Sequence, residues 1–96
     1  MAIRLIITMT AAHGKGEELA AWYKARCEEV QGEPGCEQYE VYRSLADPDK
    51  LVLLERWSDQ AALERHAEIM STRDPVPPGL RMGTGEREDY EYRRTR

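Results

Sequence analysis

At 96 residues, the chain is sized for one domain around one core, and a domain this small buries only roughly 60–65% of its unfolded surface, so oligomerisation is an expected source of stability. A formal net charge of −4 excludes a general affinity for nucleic-acid phosphates; only Arg93-Arg94-Thr95-Arg96 is locally basic, as a solvated tail. The two cysteines, Cys27 and Cys36, are too few for a secreted disulfide framework and lack zinc-site spacing, which points to a reducing cytoplasm.

Met1-Ala2-Ile3-Arg4-Leu5-Ile6-Ile7 turns polar at Thr8 and Thr10 and reads as a strand, not a signal peptide. No apolar run approaches the roughly 20 residues that cross a bilayer. Along residues 3–10, Ile3, Leu5, Ile7 and Met9 share one face and Ile6 takes the other, the pattern of a strand covered on both sides. A connection follows through His13-Gly14-Lys15-Gly16. Glu17 and Glu18 then place negative charge where a helix macrodipole favours it. This first helix runs to about Gln31, with Leu19, Trp22, Tyr23, Cys27 and Val30 inward and Lys24, Arg26, Glu28 and Glu29 largely outward.

Gly32, Pro34 and Gly35 stop the helix. The second strand, about Cys36 to Ser44, carries Cys36, Gln38 and Tyr42 on one parity and Tyr39 with Val41 on the other. A turn at Ala46-Asp47-Pro48-Asp49-Lys50 leads to the third strand, Leu51 to Trp57, again apolar on both parities. Ser58 or Asp59 caps a second helix whose stripe is Ala62, Leu63, His66, Ala67, Ile69 and Met70. Residues 71–85 are rich in Pro and Gly and predict an irregular excursion, and about Arg87 to Arg93 predicts a last strand.

The order βαββαβ is that of the ferredoxin-like α+β fold, a four-stranded antiparallel sheet with both helices on one face. Because the first and third strands are apolar on both parities, the opposite face is expected to meet a second copy, giving a dimeric α+β barrel.

Glu55 and Trp57, two apart on a strand, leave the same face. His66 points from its helix toward that sheet, so the three converge in expectation. An imidazole beside a carboxylate can serve as a general base near neutral pH. The same residues also fit a purely structural His–Glu pair and a core-filling Trp. Tyr39 and Tyr42 are candidate substrate contacts or phenol donors, and equally cross-strand aromatic pairs. Gly14-Lys15-Gly16 has neither a Walker nor a dinucleotide spacing. Two histidines, His13 and His66, separated by most of a domain give no metal site.

With Gly14-Lys15-Gly16-Glu17-Glu18-Leu19, Glu33-Pro34-Gly35-Cys36 ahead of Tyr39-Glu40-Val41, Asp47-Pro48, and Leu54-Glu55-Arg56-Trp57 running through Asp59-Gln60-Ala61-Ala62-Leu63 to His66, nearly the whole chain resembles the antibiotic biosynthesis monooxygenase family. That resemblance implies a homodimer that oxidises a small electron-rich aromatic, a quinol, phenol or anthrone, with O2 and without a metal or flavin cofactor. It also implies His66 as base or orienting partner, Glu55 as its carboxylate, Trp57 as a cavity wall, and Tyr39 or Tyr42 at the substrate. A haem-degrading branch of the family uses an Asn on the first strand, which this chain lacks. A non-catalytic ligand-binding or dimerisation module of the same fold is the alternative.

Overall fold

The computed structural model describes residues 1–96. Its elements in chain order are β1 (Ala2–Thr10), α1 (Gly16–Val30), β2 (Cys36–Arg43), β3 (Lys50–Trp57), α2 (Gln60–Met70) and β4 (Glu86–Tyr92). The strands form one sheet in the order β2-β3-β1-β4, with every neighbouring pair antiparallel. This is the ferredoxin-like α+β fold. The apolar strands β1 and β3 occupy its centre, and the polar β2 and β4 its edges.

Strand alternation sorts the side chains. Leu5 and Met9 of β1 and Leu51, Leu53, Glu55 and Trp57 of β3 are buried beneath the helices. With Leu19, Tyr23, Cys27 and Val30 of α1, Ala62 and Leu63 of α2, and Ala11, Tyr39 and Leu80, the apolar ones among these strand residues form a 14-residue core. Arg4, Ile6, Val52, Leu54 and Arg56 point the other way and stay half-buried. A single chain therefore leaves that second sheet face uncovered.

Two helix starts are tied to distant turns. Asp59 caps α2, its carboxylate accepting from the Ala62 amide at 2.8 Å. Helix α1 has no side-chain cap of its own. Asp49, from the β2–β3 turn, instead accepts from the Gly14 and Gly16 amides at 2.9 Å each, and those bonds hold its carboxyl below the usual range. Gly16 is required there, since a Cβ would lie 1.9 Å from the Pro48 carbonyl oxygen.

Three expectations are corrected. Arg26 is not on the outer face of α1: it is buried, stacked 4.6 Å from the centre of the Trp22 ring and donating to the Asp74 carbonyl at 2.5 Å. The excursion over residues 71–85 supplies that carbonyl, so it turns an outward arginine into an inward one. Cys36 does not share a face with Gln38 and Tyr42, because the register slips between Cys36 and Gln38 and sets Cys36 opposite Trp57. Finally, Ala67 is exposed and Ile69 and Met70 only half-buried, since the end of α2 overhangs an open cleft.

Candidate active site

Strand β3 and helix α2 bring Glu55, Trp57 and His66 together. Glu55 and Trp57 leave the same face of β3, and the indole Nε1 donates to Glu55 Oε1 at 2.9 Å. The His66 ring lies 4.5 Å from that of Trp57, tilted by 34°. Tyr39, paired with Glu55 across β2 and β3, puts its ring 5.6 Å from His66 on another side. Trp57 is fully buried, and Tyr39, Glu55 and His66 nearly so. The imidazole thus sits in an aromatic sleeve.

The carboxylate hydrogen-bonded to His66 is Glu33. His66 Nδ1 lies 2.9 Å from Glu33 Oε1, whereas Nε2 is 3.9 Å from Glu55 Oε1, beyond a hydrogen bond. Arg73 Nη1 in turn donates to Glu33 Oε2 at 2.6 Å. With Glu33 accepting from Arg73, the assignment that satisfies the buried pair has Nδ1–H donating to Glu33, which leaves the Nε2 lone pair for whatever enters beside Glu55. A carboxylate on one ring nitrogen and a free lone pair on the other is the arrangement of an oriented base.

Glu33 reaches this position through the turn before β2. Gly35 adopts φ 80°, and a Cβ there would fall 2.5 Å from that of Ala62. Only glycine lets the turn pass this close to α2. Its carbonyl is fastened to the Ser58 amide at 2.9 Å, so the stretch after β3 clamps the turn that carries Glu33.

Electrostatics follow burial. Desolvation pushes the Glu55 carboxyl above its ordinary value, opposed by the Trp57 N–H bond and by His66. Desolvation likewise raises the Tyr39 phenol, with the nearby Glu55 charge adding to it, so Tyr39 is a neutral proton donor. A cleft of about 390 Å³, lined in part by Leu5, Leu63, Met70 and Arg87, opens onto Glu55 and His66. Its walls combine the apolar Leu5, Leu63, Ala67 and Met70 with the polar Glu55, Gln60, Glu64, His66 and Arg87.

Tyr42 is not part of this assembly. It pairs with Val52 on the opposite face of the sheet, 45% exposed, with its hydroxyl donating to Glu40 Oε2 at 3.0 Å.

The family model described as antibiotic biosynthesis monooxygenase matches residues 2–69. The chain belongs to that family. The matched span covers β1 through nearly all of α2 and so contains Glu33, Tyr39, Glu55, Trp57 and His66. Among solved structures, the chain is similar to PA3566 of Pseudomonas aeruginosa at 28% identity, over 97% of this chain and 95% of that one, with a TM-score of 0.80. It is also similar to SO0527 of Shewanella oneidensis at 26% identity, over 93% and 88%, with a TM-score of 0.79. SnoaB of Streptomyces nogalater, described as a cofactor-independent oxygenase, shares the fold at 17% identity over 98% and 95%, with a TM-score of 0.72. No curated protein matches the sequence.

Two residues of the constellation, Glu33 and Arg73, carry no sequence pattern that names them. Glu33 stands 33 residues before its imidazole partner and Arg73 lies 40 residues after Glu33, so no local spacing joins them. One signal was present: an acidic residue directly ahead of Pro34-Gly35, in a turn leading into an apolar strand, where solvent exposure is the default and burial demands a partner.

Proposed function

We propose that this antibiotic biosynthesis monooxygenase family member is a homodimeric, cofactor-independent oxygenase that converts a small electron-rich aromatic, of quinol, phenol or anthrone type, with O2. The observation that carries the reading is the buried His66, with one ring nitrogen engaged by Glu33 and the other directed toward Glu55 in a cleft of mixed aliphatic and polar lining.

In this reading His66 Nε2 removes a proton from the substrate, and the resulting anion supplies electrons to O2. For an anthrone methylene, the carbanion and O2 form a C–O bond and, with a proton, a hydroperoxide. Loss of the second C–H proton then cleaves the O–O bond and leaves a carbonyl and one water. All four electrons come from the methylene carbon, so no external reductant enters. The apolar part of the lining, Leu5, Leu63, Ala67 and Met70, favours a delocalised aromatic anion over a compact hydrated one. Trp57, fully buried behind the cleft, fixes Glu55 through its indole N–H and backs the imidazole ring, with the Tyr39 ring 5.6 Å from it.

Oxygen uptake with a panel of quinols and anthrones tests the reading. His66→Ala is expected to lower turnover about 10²–10⁴-fold, the usual worth of a positioned base, and Trp57→Phe to lower it less. Turnover unchanged in folded His66→Ala removes that residue from the mechanism, and wild-type uptake no faster than autoxidation makes the chain a binding module.

The dimer is supported by the uncovered sheet face, where Ile6, Val52 and Leu54 lie half-buried on the central strands. Sedimentation of the wild type is expected to give twice the chain mass, and Leu54→Asp the chain mass, with the tryptophan environment unchanged. A monomeric wild type overturns this part of the reading.

A further inference from the structure

A second cavity, of about 220 Å³, lies on the other side of Met70 from the His66 cleft, between α1, the end of α2 and the 71–85 excursion. Its polar atoms are mostly donors. Arg81 Nη1 donates to the Tyr23 hydroxyl at 3.1 Å and Arg81 Nε to the Gly83 carbonyl at 3.0 Å. Arg81 forms no ion pair, whereas Arg26 and Arg73 on the same walls both face Glu29, and Arg73 also holds Glu33. Asp74 stands on the rim with its side chain exposed, its carbonyl already taken by Arg26.

The phenols add to the surplus. Because the Tyr23 oxygen accepts from Arg81, its own proton is free to be given elsewhere. Tyr39 accepts from Gln31 only through its backbone carbonyl, which leaves its hydroxyl uncommitted. Both tyrosines are buried, at 6% and 3% exposure, so these donors do not face bulk water. Arg81 is also held in place: its backbone bridges Ala11, the Ala12 amide donates to the Leu80 carbonyl at 3.0 Å, and the Met82 amide to the Thr10 carbonyl at 2.8 Å. A cation without a counter-ion, fixed by backbone pairing and flanked by two phenols with protons to give, is a preorganised receptor for an oxyanion.

The remaining walls are apolar, formed by Trp22, Met70, Pro75 and Val76. The volume is below the roughly 300–1,000 Å³ of drug-sized pockets, which limits the occupant to a single ring or a comparable group. We infer that this cavity binds the carboxylate of a small aromatic acid, with Arg81 as counter-ion and the Tyr23 and Tyr39 hydroxyls as donors. This is a statement about binding and holds whether or not the chain oxidises its ligand.

Calorimetric titration of the full chain at low ionic strength with benzoate, its neutral isostere benzamide, and inorganic phosphate tests the assignment. Benzoate is expected to bind at least tenfold more tightly than benzamide, and Arg81→Gln to erase that preference. Tyr23→Phe, which removes one hydroxyl and keeps the ring, is expected to weaken benzoate several-fold and serves if Arg81→Gln does not fold. Equal binding of benzoate and benzamide by the wild type overturns the inference, as does no binding of either. A preference that survives in folded Arg81→Gln also overturns it, as does an unchanged benzoate affinity in Tyr23→Phe where that variant stands in. Phosphate binding tighter than benzoate overturns the assignment to an aromatic acid.

Discussion

On β3, Leu51, Leu53, Glu55 and Trp57 point toward the helices and are at most 3% exposed, while their neighbours Val52, Leu54 and Arg56 point away and are half-buried. One backbone thus serves two environments. On the helix side, a carboxylate is accommodated only where the Trp57 N–H satisfies it. On the open side, charge is distributed freely: Arg4 and Arg56 lie 4.8 and 5.4 Å from the centre of the Tyr92 ring, and Arg56 Nε faces Glu37 at 3.2 Å. The contrast shows where chemistry can be held. A group on the sealed face has a fixed set of neighbours within its own chain, and a group on the open face shares its interactions with water or with the copy that covers it.

The sharpest way to test that contrast is to remove the largest sealed side chain. Trp57→Ala deletes a fully buried indole and leaves Glu55 buried without its donor. It is expected to lower the free energy of unfolding by about 3–5 kcal/mol in urea denaturation. Val52→Ala, one pleat away on the open face, is expected to cost less than about a third of that. Comparable costs would mean that the two faces are equally packed in solution, by a partner copy or otherwise.

How much of this was legible in the sequence differs between the faces as well. The inward parity of β1 and β3, a cap at Ser58 or Asp59 and the turn at residues 46–50 follow from alternation and local turn chemistry, and the structure has them, with Asp59 as the cap. Helical spacing points Arg26 outward because it sets a direction but says nothing of what lies over it; here the 71–85 excursion provides the Asp74 carbonyl and Met70 a sulfur at 3.5 Å. The bulge at Cys36 and Gln38 inverts one parity, and period-two patterning has no way to register an extra residue. Glu55, Trp57 and His66 were named together because a strand and the helix after it are neighbours in this topology. Glu33 and Arg73 were not, since their meeting with His66 depends on the close passage at Gly35 and on where the chain goes after α2.

A smaller effect concerns the cost of the sealed carboxylate. Burial raises the Glu55 carboxyl above its unfolded value, so the native state prefers the protonated form. The stability this provides is complete below the unfolded value and is lost as pH rises through the higher folded one. Glu55→Gln keeps an acceptor for the Trp57 N–H and carries no charge at any pH. Its melting temperature is expected to exceed that of the wild type by a few degrees at about pH 8, with the gap closing as the pH falls below the ordinary carboxylate range. A gap independent of pH would mean that the benefit is steric, and a loss of stability at pH 8 would mean that His66 outweighs desolvation at this carboxylate.

The smallest expected effect lies at Tyr42, the sequence-nominated aromatic that the fold sends to the open face. Its hydroxyl donates to Glu40, two residues along the same exposed strand, and the carboxylate beside it raises the phenol. Such a contact competes with water on both sides, so its loss is expected to leave the urea midpoint of unfolding unchanged within error. Oxygen uptake by Tyr42→Phe is likewise expected to match the wild type, because the whole sheet separates this phenol from His66. Tyr39→Phe provides the matched comparison, the same atom removed from the same strand on the sealed face, where the ring lies 5.6 Å from that of His66. If both substitutions lowered uptake equally, the substrate would have to reach across the β2 edge, and the division between a reactive sealed face and an associating open one would no longer hold.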